Sequence, residues 1–421
     1  MTARALLSVL VLAAPAAAQE WTRFRGPDGS GVGPATGIPV KWTEKDFAWK
    51  VRLPGGGHSS PVLWGERIFV TAADEKTGRR TALCLRASDG SRLWARDFGG
   101  ARHGKHQDNS FATASPAVDE RHVYLAWGGA KEYLVVALNH DGKERWRIDL
   151  GPFRSGHGFG PSPVVVEGLV VVANDQDGPS SLVALDRDTG KVRWKLPRKG
   201  KASYTTPCIF RPKGAAPQLV FTNWDHGITG VEAKTGRVVW EADVFDKRHI
   251  ETAIGSPVAE GELVYGVCGW LGVRQEVVAI RPGNAKGEKP KEAFRLARSA
   301  PLCTTPLVKG GLLFVWSDGG VVTCADARMG ALHWRERVPG TYYGSPVWAG
   351  GRLYNVSRDG EVVVLAAAKR FELLARNPLG EGSHATPAIA GGRIFFRTFT
   401  HLIAVGAAGK QRGGAPARPP R

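Results

Sequence analysis

The sequence lacks most of the short motifs that mark catalytic and metal sites. Its five cysteines, Cys84, Cys208, Cys268, Cys303 and Cys324, form no CxxC, CxxCH or adjacent pair, which argues against a zinc site or an attached c-type haem. No GxxxxGK[ST] loop is present, and no glycine-rich dinucleotide fingerprint follows a strand and opens a helix, so neither common phosphate cradle exists. Beyond an apolar stretch from Ala5 to Ala14, no segment approaches the roughly 20 apolar residues of a spanning helix. Acidic residues are scarce, 39 against 57 Lys and Arg, for a formal net charge of +18. That balance favours anionic partners but says nothing about the fold.

Turn formers, by contrast, are abundant. The 421 residues include 54 Gly and 27 Pro, which leaves little room for long helices, while 43% hydrophobic residues suffice for a large core. Residues 1–18 combine Arg4, the short apolar run and small residues Ala16 and Ala18 ahead of Gln19, and read as a secretory signal peptide cleaved near Ala18. The expected mature protein is periplasmic or secreted.

The main signal is a repeat. A Ser-Pro or Thr-Pro step followed by an apolar run recurs at Pro61, Pro116, Pro163, Pro207, Pro257, Pro306, Pro346 and Pro387, every 40 to 55 residues. Between these steps lies a turn and a Trp-bearing strand, plainest in ALDRDTGKVRW from Ala184 to Trp194. Trp94, Trp146, Trp240 and Trp334 hold the same place in other copies, and Trp49 stands ahead of the first. One copy reads as four strands: Ser162 to Val166, Leu169 to Ala173, Ser181 to Asp186 and Lys191 to Leu196. Four short strands per 40 to 55 residues predict an all-β, eight-bladed propeller of antiparallel blades. The strand from Phe47 to Leu53 is expected to complete the last blade, whose own Trp strand is missing, and so to cover an open edge. The expected organisation is a signal peptide (1–18), an N-terminal arm (19–46), a propeller (47–405) and a disordered basic tail (406–421).

The element AxDxxTGKxxW at Ala184 to Trp194 resembles the tryptophan-docking repeat of the pyrroloquinoline quinone (PQQ) family of propellers. That family holds both PQQ- and calcium-dependent alcohol and sugar dehydrogenases and non-catalytic scaffolds of the outer-membrane protein assembly type. The resemblance implies that Trp49, Trp94, Trp146, Trp194, Trp240 and Trp334 dock blades against one another rather than touch a ligand. No adjacent cysteine pair and no placeable base or calcium cluster supports the dehydrogenase branch, so a binding or protein-interaction scaffold is the leading expectation. PQQ with calcium remains the alternative.

By analogy with propellers, ligands are expected where loops converge on the axis. The loops entering the first strands carry His58, His157, Tyr204, Tyr342, Tyr343 and His384, and the inner loops carry Asp175, Asp177, Trp224, Asp225, His226, Trp270, Asp318, Arg358, Asp359 and His401. Imidazole, phenol, indole and carboxylate in one ring suit a planar ligand and a cation; the plainer reading is of polar loops meeting water. The HGKHQD segment with His103, His106 and Asp108 reads as a solvated insertion. No metal site is assigned. Expected partners are other exported or envelope proteins, with acidic glycans as a further option. Nucleic acid and a membrane span are not expected, and the protein reads as a monomer.

Overall fold

The computed structural model describes residues 20–248, 252–270, 274–284 and 287–406. The expected leader and the tail beyond Gly406 lie outside them. Within these residues eight antiparallel sheets form the blades of a propeller. The third blade comprises Val164–Val166, Leu169–Asn174, Ser180–Asp186 and Val192–Arg198, in that order from axis to rim. Its first hairpin turns at Glu167 and Gly168, both at positive φ (50° and 75°), the backbone of a two-residue turn that matches strand twist. The Gly pairs at 310–311, 350–351 and 391–392 repeat this geometry in later blades, and account for part of the glycine excess.

Ring closure falls where the repeat count places it. Phe47–Arg52 pairs antiparallel with His401–Val405, Trp49 opposite Ala404, and becomes the outermost strand of the eighth blade. The chain is thus fastened by its two ends, and the last sheet has no unfilled position.

Each blade buries both faces. Val170, Val172 and Leu185 of the third blade pack against Tyr124, Val135 and Ala137 of the second, whereas Val171, Leu182 and Ala184 face Leu219, Phe221 and Val231 of the fourth. Burial on two sides explains why the strands read as unbroken apolar runs rather than alternating ones.

The docking motif has a steric basis. The Nε1–H of Trp194 donates to the Ala233 carbonyl of the next blade at 3.0 Å, and its ring lies where a Cβ on Gly236 would stand, 2.6 Å from Trp194 Cδ2. Trp49 with Gly90, Trp94 with Gly142 and Trp146 with Gly190 repeat the arrangement. The turn glycine therefore serves two purposes: it takes a positive φ and makes room for the indole of the preceding blade. Trp240 differs, since its indole donates to Gln218 Oε1 within its own blade.

A second inter-blade device uses the Ser/Thr-Pro steps. The amide of Ser60 donates to Ser115 Oγ at 2.8 Å, that of Ser115 to Ser162 Oγ at 3.0 Å, and that of Ser162 to Thr206 Oγ1 at 3.0 Å. The series continues from Thr206 to Ser256, Ser256 to Thr305, Thr305 to Ser345 and Ser345 to Thr386. It breaks at the seam, where Ser60 Oγ is buried without a partner. There Arg397 of the eighth blade donates instead to Ser59 Oγ at 2.7 Å and to the Thr71 carbonyl of the first.

Candidate functional site

The propeller's axial channel is closed at one end by a segment that precedes the first blade. Residues 20–33 cross it and satisfy main-chain groups on the inner edges of several blades. Trp21 exchanges two bonds with Leu63, Thr22 accepts from the Val118 amide at 2.8 Å, and Gly31 accepts from Trp348 at 2.8 Å. Val32–Gly33 then adds a parallel strand to the seventh blade.

Two fully buried arginines anchor this plug. Arg23 Nη1 donates to the Pro207 carbonyl at 2.7 Å, and Arg25 donates to the carbonyls of Pro346 at 2.8 Å and Pro306 at 3.0 Å. All three prolines belong to Ser/Thr-Pro steps. A Cβ on Gly29 would meet Arg23 Nη2 at 2.4 Å, and one on Gly31 would meet Arg25 Nη2 at 2.5 Å. The segment TRFRGPDGSG is thus a single device, in which glycines at positive φ wrap the two guanidinium groups. Sequence reasoning treated it as a featureless arm, although two arginines among closely spaced glycines were the available sign.

The channel above becomes a blind cavity of about 670 Å³ with Phe24 on its floor. Of the residues proposed from sequence, His58, His157, Tyr204, Trp270, Asp318 and His384 line it, together with Tyr343. Four others do not. Trp224 is half-buried and donates from Nε1 to the Asp246 carbonyl at 2.9 Å; Asp225 caps a turn by accepting from the Lys201 amide at 2.5 Å. His401 Nδ1 lies 3.0 Å from Glu381 Oε2, and Arg358 stands behind the lining. Asp175 is likewise committed, to a buried ion pair with Arg198 at 3.1 Å, and Tyr342 is a core residue against Trp316.

The HGKHQD segment is not a free solvated insertion. It crosses the cavity mouth and is held on the far side by Asp108, whose Oδ1 pairs with Arg358 Nη2 at 2.9 Å and whose Oδ2 accepts from the Tyr343 hydroxyl at 3.3 Å. The Asp108 carbonyl accepts from His384 Nδ1 at 3.2 Å. His106 sits at 5.5 Å between ring centres from His157, and His58 lies 4.6 Å from His384. The Asp108 and His58 contacts bridge loops more than 200 residues apart, which no local pattern records.

The site's titratable groups are quiet. Burial, then the neighbouring His384, Arg397 and Lys105, hold His58 well below its ordinary value, and burial likewise lowers His157 and His384. All three are therefore neutral near pH 7. Burial pushes Asp318 up although the Leu302 and Cys303 amides pull it down, at 2.5 and 2.8 Å. Burial and the adjacent Asp318 raise the Cys303 thiol well above its usual range, so it is a poor nucleophile. Cys84, Cys208, Cys303 and Cys324 are unbridged thiols.

A quinone held with calcium needs several converging oxygen ligands. The wall offers two carboxylates, Asp108 and Asp318, and both oxygens of each are already engaged; among the described residues no group of three His, Cys, Asp or Glu is arranged to hold a metal. The donor set does not fit the calcium–quinone unit.

The family profile described as outer membrane protein assembly factor BamB matches residues 78–288 and 274–420. The chain belongs to this family. A curated relative, the outer membrane protein assembly factor BamB of Yersinia pestis, is 22% identical over 311 residues, 71% of this chain and 64% of the relative. The match therefore spans less than two thirds of that protein's length. The crystal structure of BamB from Moraxella catarrhalis superposes with a TM-score of 0.61 at 14% identity, covering 87% of this chain and 98% of that one. The quinohemoprotein alcohol dehydrogenase of Comamonas testosteroni gives 0.66 at 13% identity, over 95% and 82%. At such identities the structural likenesses establish the propeller and no more.

Proposed function

We propose that this BamB-family propeller is an exported binding scaffold that works on other envelope proteins during outer-membrane protein assembly, as a monomer and without a redox cofactor. The observation that carries this reading is the engagement of both wall carboxylates on both oxygens. The Cys303 thiol beside Asp318 is held protonated, and among the described residues no group of three His, Cys, Asp or Glu is arranged as a cation cage. The eight-bladed frame, closed at its seam and plugged at its axis, is instead a rigid support for loops. Export rests on the leader-like residues 1–18.

The test is in vivo photo-crosslinking from rim positions such as Trp270, with partners identified by mass spectrometry, alongside reconstitution of the purified protein with PQQ and calcium. Recovery of outer-membrane assembly proteins is the expected result. Stoichiometric quinone uptake with dye-linked alcohol or sugar oxidation would overturn the proposal.

A further inference from the structure

The blind cavity has a chemistry of its own, independent of any partner at the rim. Each blade-linking hydroxyl from Ser115 round to Thr386 accepts an amide N–H from its neighbour, and all seven line the cavity. Each oxygen takes one amide N–H, and each hydroxyl still has its O–H to donate. Most are nearly enclosed: Thr305 is 1% exposed, Ser345 2% and Thr206 4%.

Charge lies directly beneath. Thr206, Thr305 and Ser345 precede the three prolines whose carbonyls bind Arg23 and Arg25, so the guanidinium groups sit about one residue step below the hydroxyl ring. The hydrogen bonds of both arginines run to carbonyl oxygens, and the one carboxylate acting on both, Asp28, does so through space without a hydrogen bond. Burial lowers Arg23 to about 10 and Arg25 to about 9, which leaves both cationic at neutral pH. Between them Phe24 gives the floor an apolar face.

Donors in a ring, positive charge below and an aromatic floor favour an anionic oxygen over a neutral sugar, which would leave the two buried positive charges uncompensated. A cation is opposed by the two arginines. We infer that the cavity binds one small oxyanion-bearing molecule, a carboxylate or a phosphate monoester, with its anionic end on the Thr206, Thr305 and Ser345 hydroxyls above Arg23 and Arg25. A volume of about 670 Å³ lies within the range of small-molecule sites. No bound metal is required, which separates this site from a calcium–quinone centre.

The test is calorimetric titration of the mature chain with benzoate and, separately, with inorganic phosphate, using glucose as the neutral control. One anion per chain and no glucose are expected, and the anion that binds identifies which oxyanion the pocket selects. Thr305→Val removes one donor at constant volume and should weaken binding roughly tenfold, while Thr305→Ser restores it. Should Thr305→Val fail to fold, heavy-atom quenching of Trp270 fluorescence by para-iodobenzoate in the unaltered chain reads the same cavity, and Trp270→Phe abolishes that signal. Failure of both anions to bind, glucose uptake equal to theirs, several anions per chain, unchanged affinity in a folded Thr305→Val, or iodobenzoate binding without Trp270 quenching would each overturn the inference.

Discussion

Single residues carry much of this fold because the same few positions recur in every blade. Gly236 is the clearest case: it holds φ at 74° and would place a Cβ 2.6 Å from the Trp194 ring. Gly236→Ala combines backbone strain with overpacking, and is expected to cost about 2–4 kcal/mol in urea unfolding. The buried pair of Arg198 and Asp175, each side chain 2% exposed, gives a second prediction. Arg198→Met leaves a buried carboxylate without its counter-charge and should cost about 3–5 kcal/mol, with part recovered in Arg198→Met combined with Asp175→Asn. Glu381 gives a pH signature. Burial raises its carboxyl, but the hydroxyls of Thr398 and Thr400 and the His401 ring outweigh burial and hold it at about 2, against 4.5 ordinarily. Its folded value is depressed, so the stability it adds is present above about pH 4.5 and lost as pH falls through about 2. In Glu381→Gln the melting temperature should vary less across that window, as followed by circular dichroism.

At the scale of elements, the N-terminal segment matters beyond its length. Removing residues 20–33 would strip inner-edge partners from Leu63, Val118 and Trp348 and open the channel from below. The expected outcome is a chain that still folds as strands but melts at lower temperature and binds the dye ANS through the apolar inner-blade surface that Trp21 covers. This segment also shows where sequence reading stopped. The Trp strands were legible because each repeats a local pattern, whereas the two-arginine plug occurs once and acts on prolines hundreds of residues away. The Ser/Thr-Pro steps were recognised as punctuation, but their hydroxyl-to-amide bonds join different blades and appear only when the ring is closed. At the seam, Arg397 replaces the missing link for the same reason: the two chain ends meet there, and no neighbouring repeat supplies it.

On the scale of the whole molecule, charge and topology divide the work. The ring of blades gives rigidity, the closed axis gives a one-sided cavity, and the loops above it carry Asp108, Arg358, Tyr343 and His384 in a cluster drawn from three parts of the chain. Breaking that cluster with Arg358→Met should free the strap across the mouth while leaving the blades intact. Faster amide exchange is expected at residues 103–110, with no more than about 1 kcal/mol lost overall. Intact-mass analysis of the envelope form is expected to find an N-terminus at Gln19, and an unprocessed chain would overturn the leader reading.

The sequence by itself determined the number of blades, the order of strands and the closure by Phe47–Arg52, because each follows from a repeated local pattern of apolar runs, turns and docking tryptophans. It also nominated seven residues that line the cavity, His58, His157, Tyr204, Trp270, Asp318, Tyr343 and His384, since loops at equivalent repeat positions must converge on one axis. Only the tertiary structure decided that Trp224, Asp225 and His401 are packing or turn residues, that Asp108 crosses the mouth, and that Arg23 and Arg25 seal the floor. Those outcomes depend on contacts between distant parts of the chain, where burial and hydrogen-bond partners are set by the closed ring rather than by neighbours in sequence.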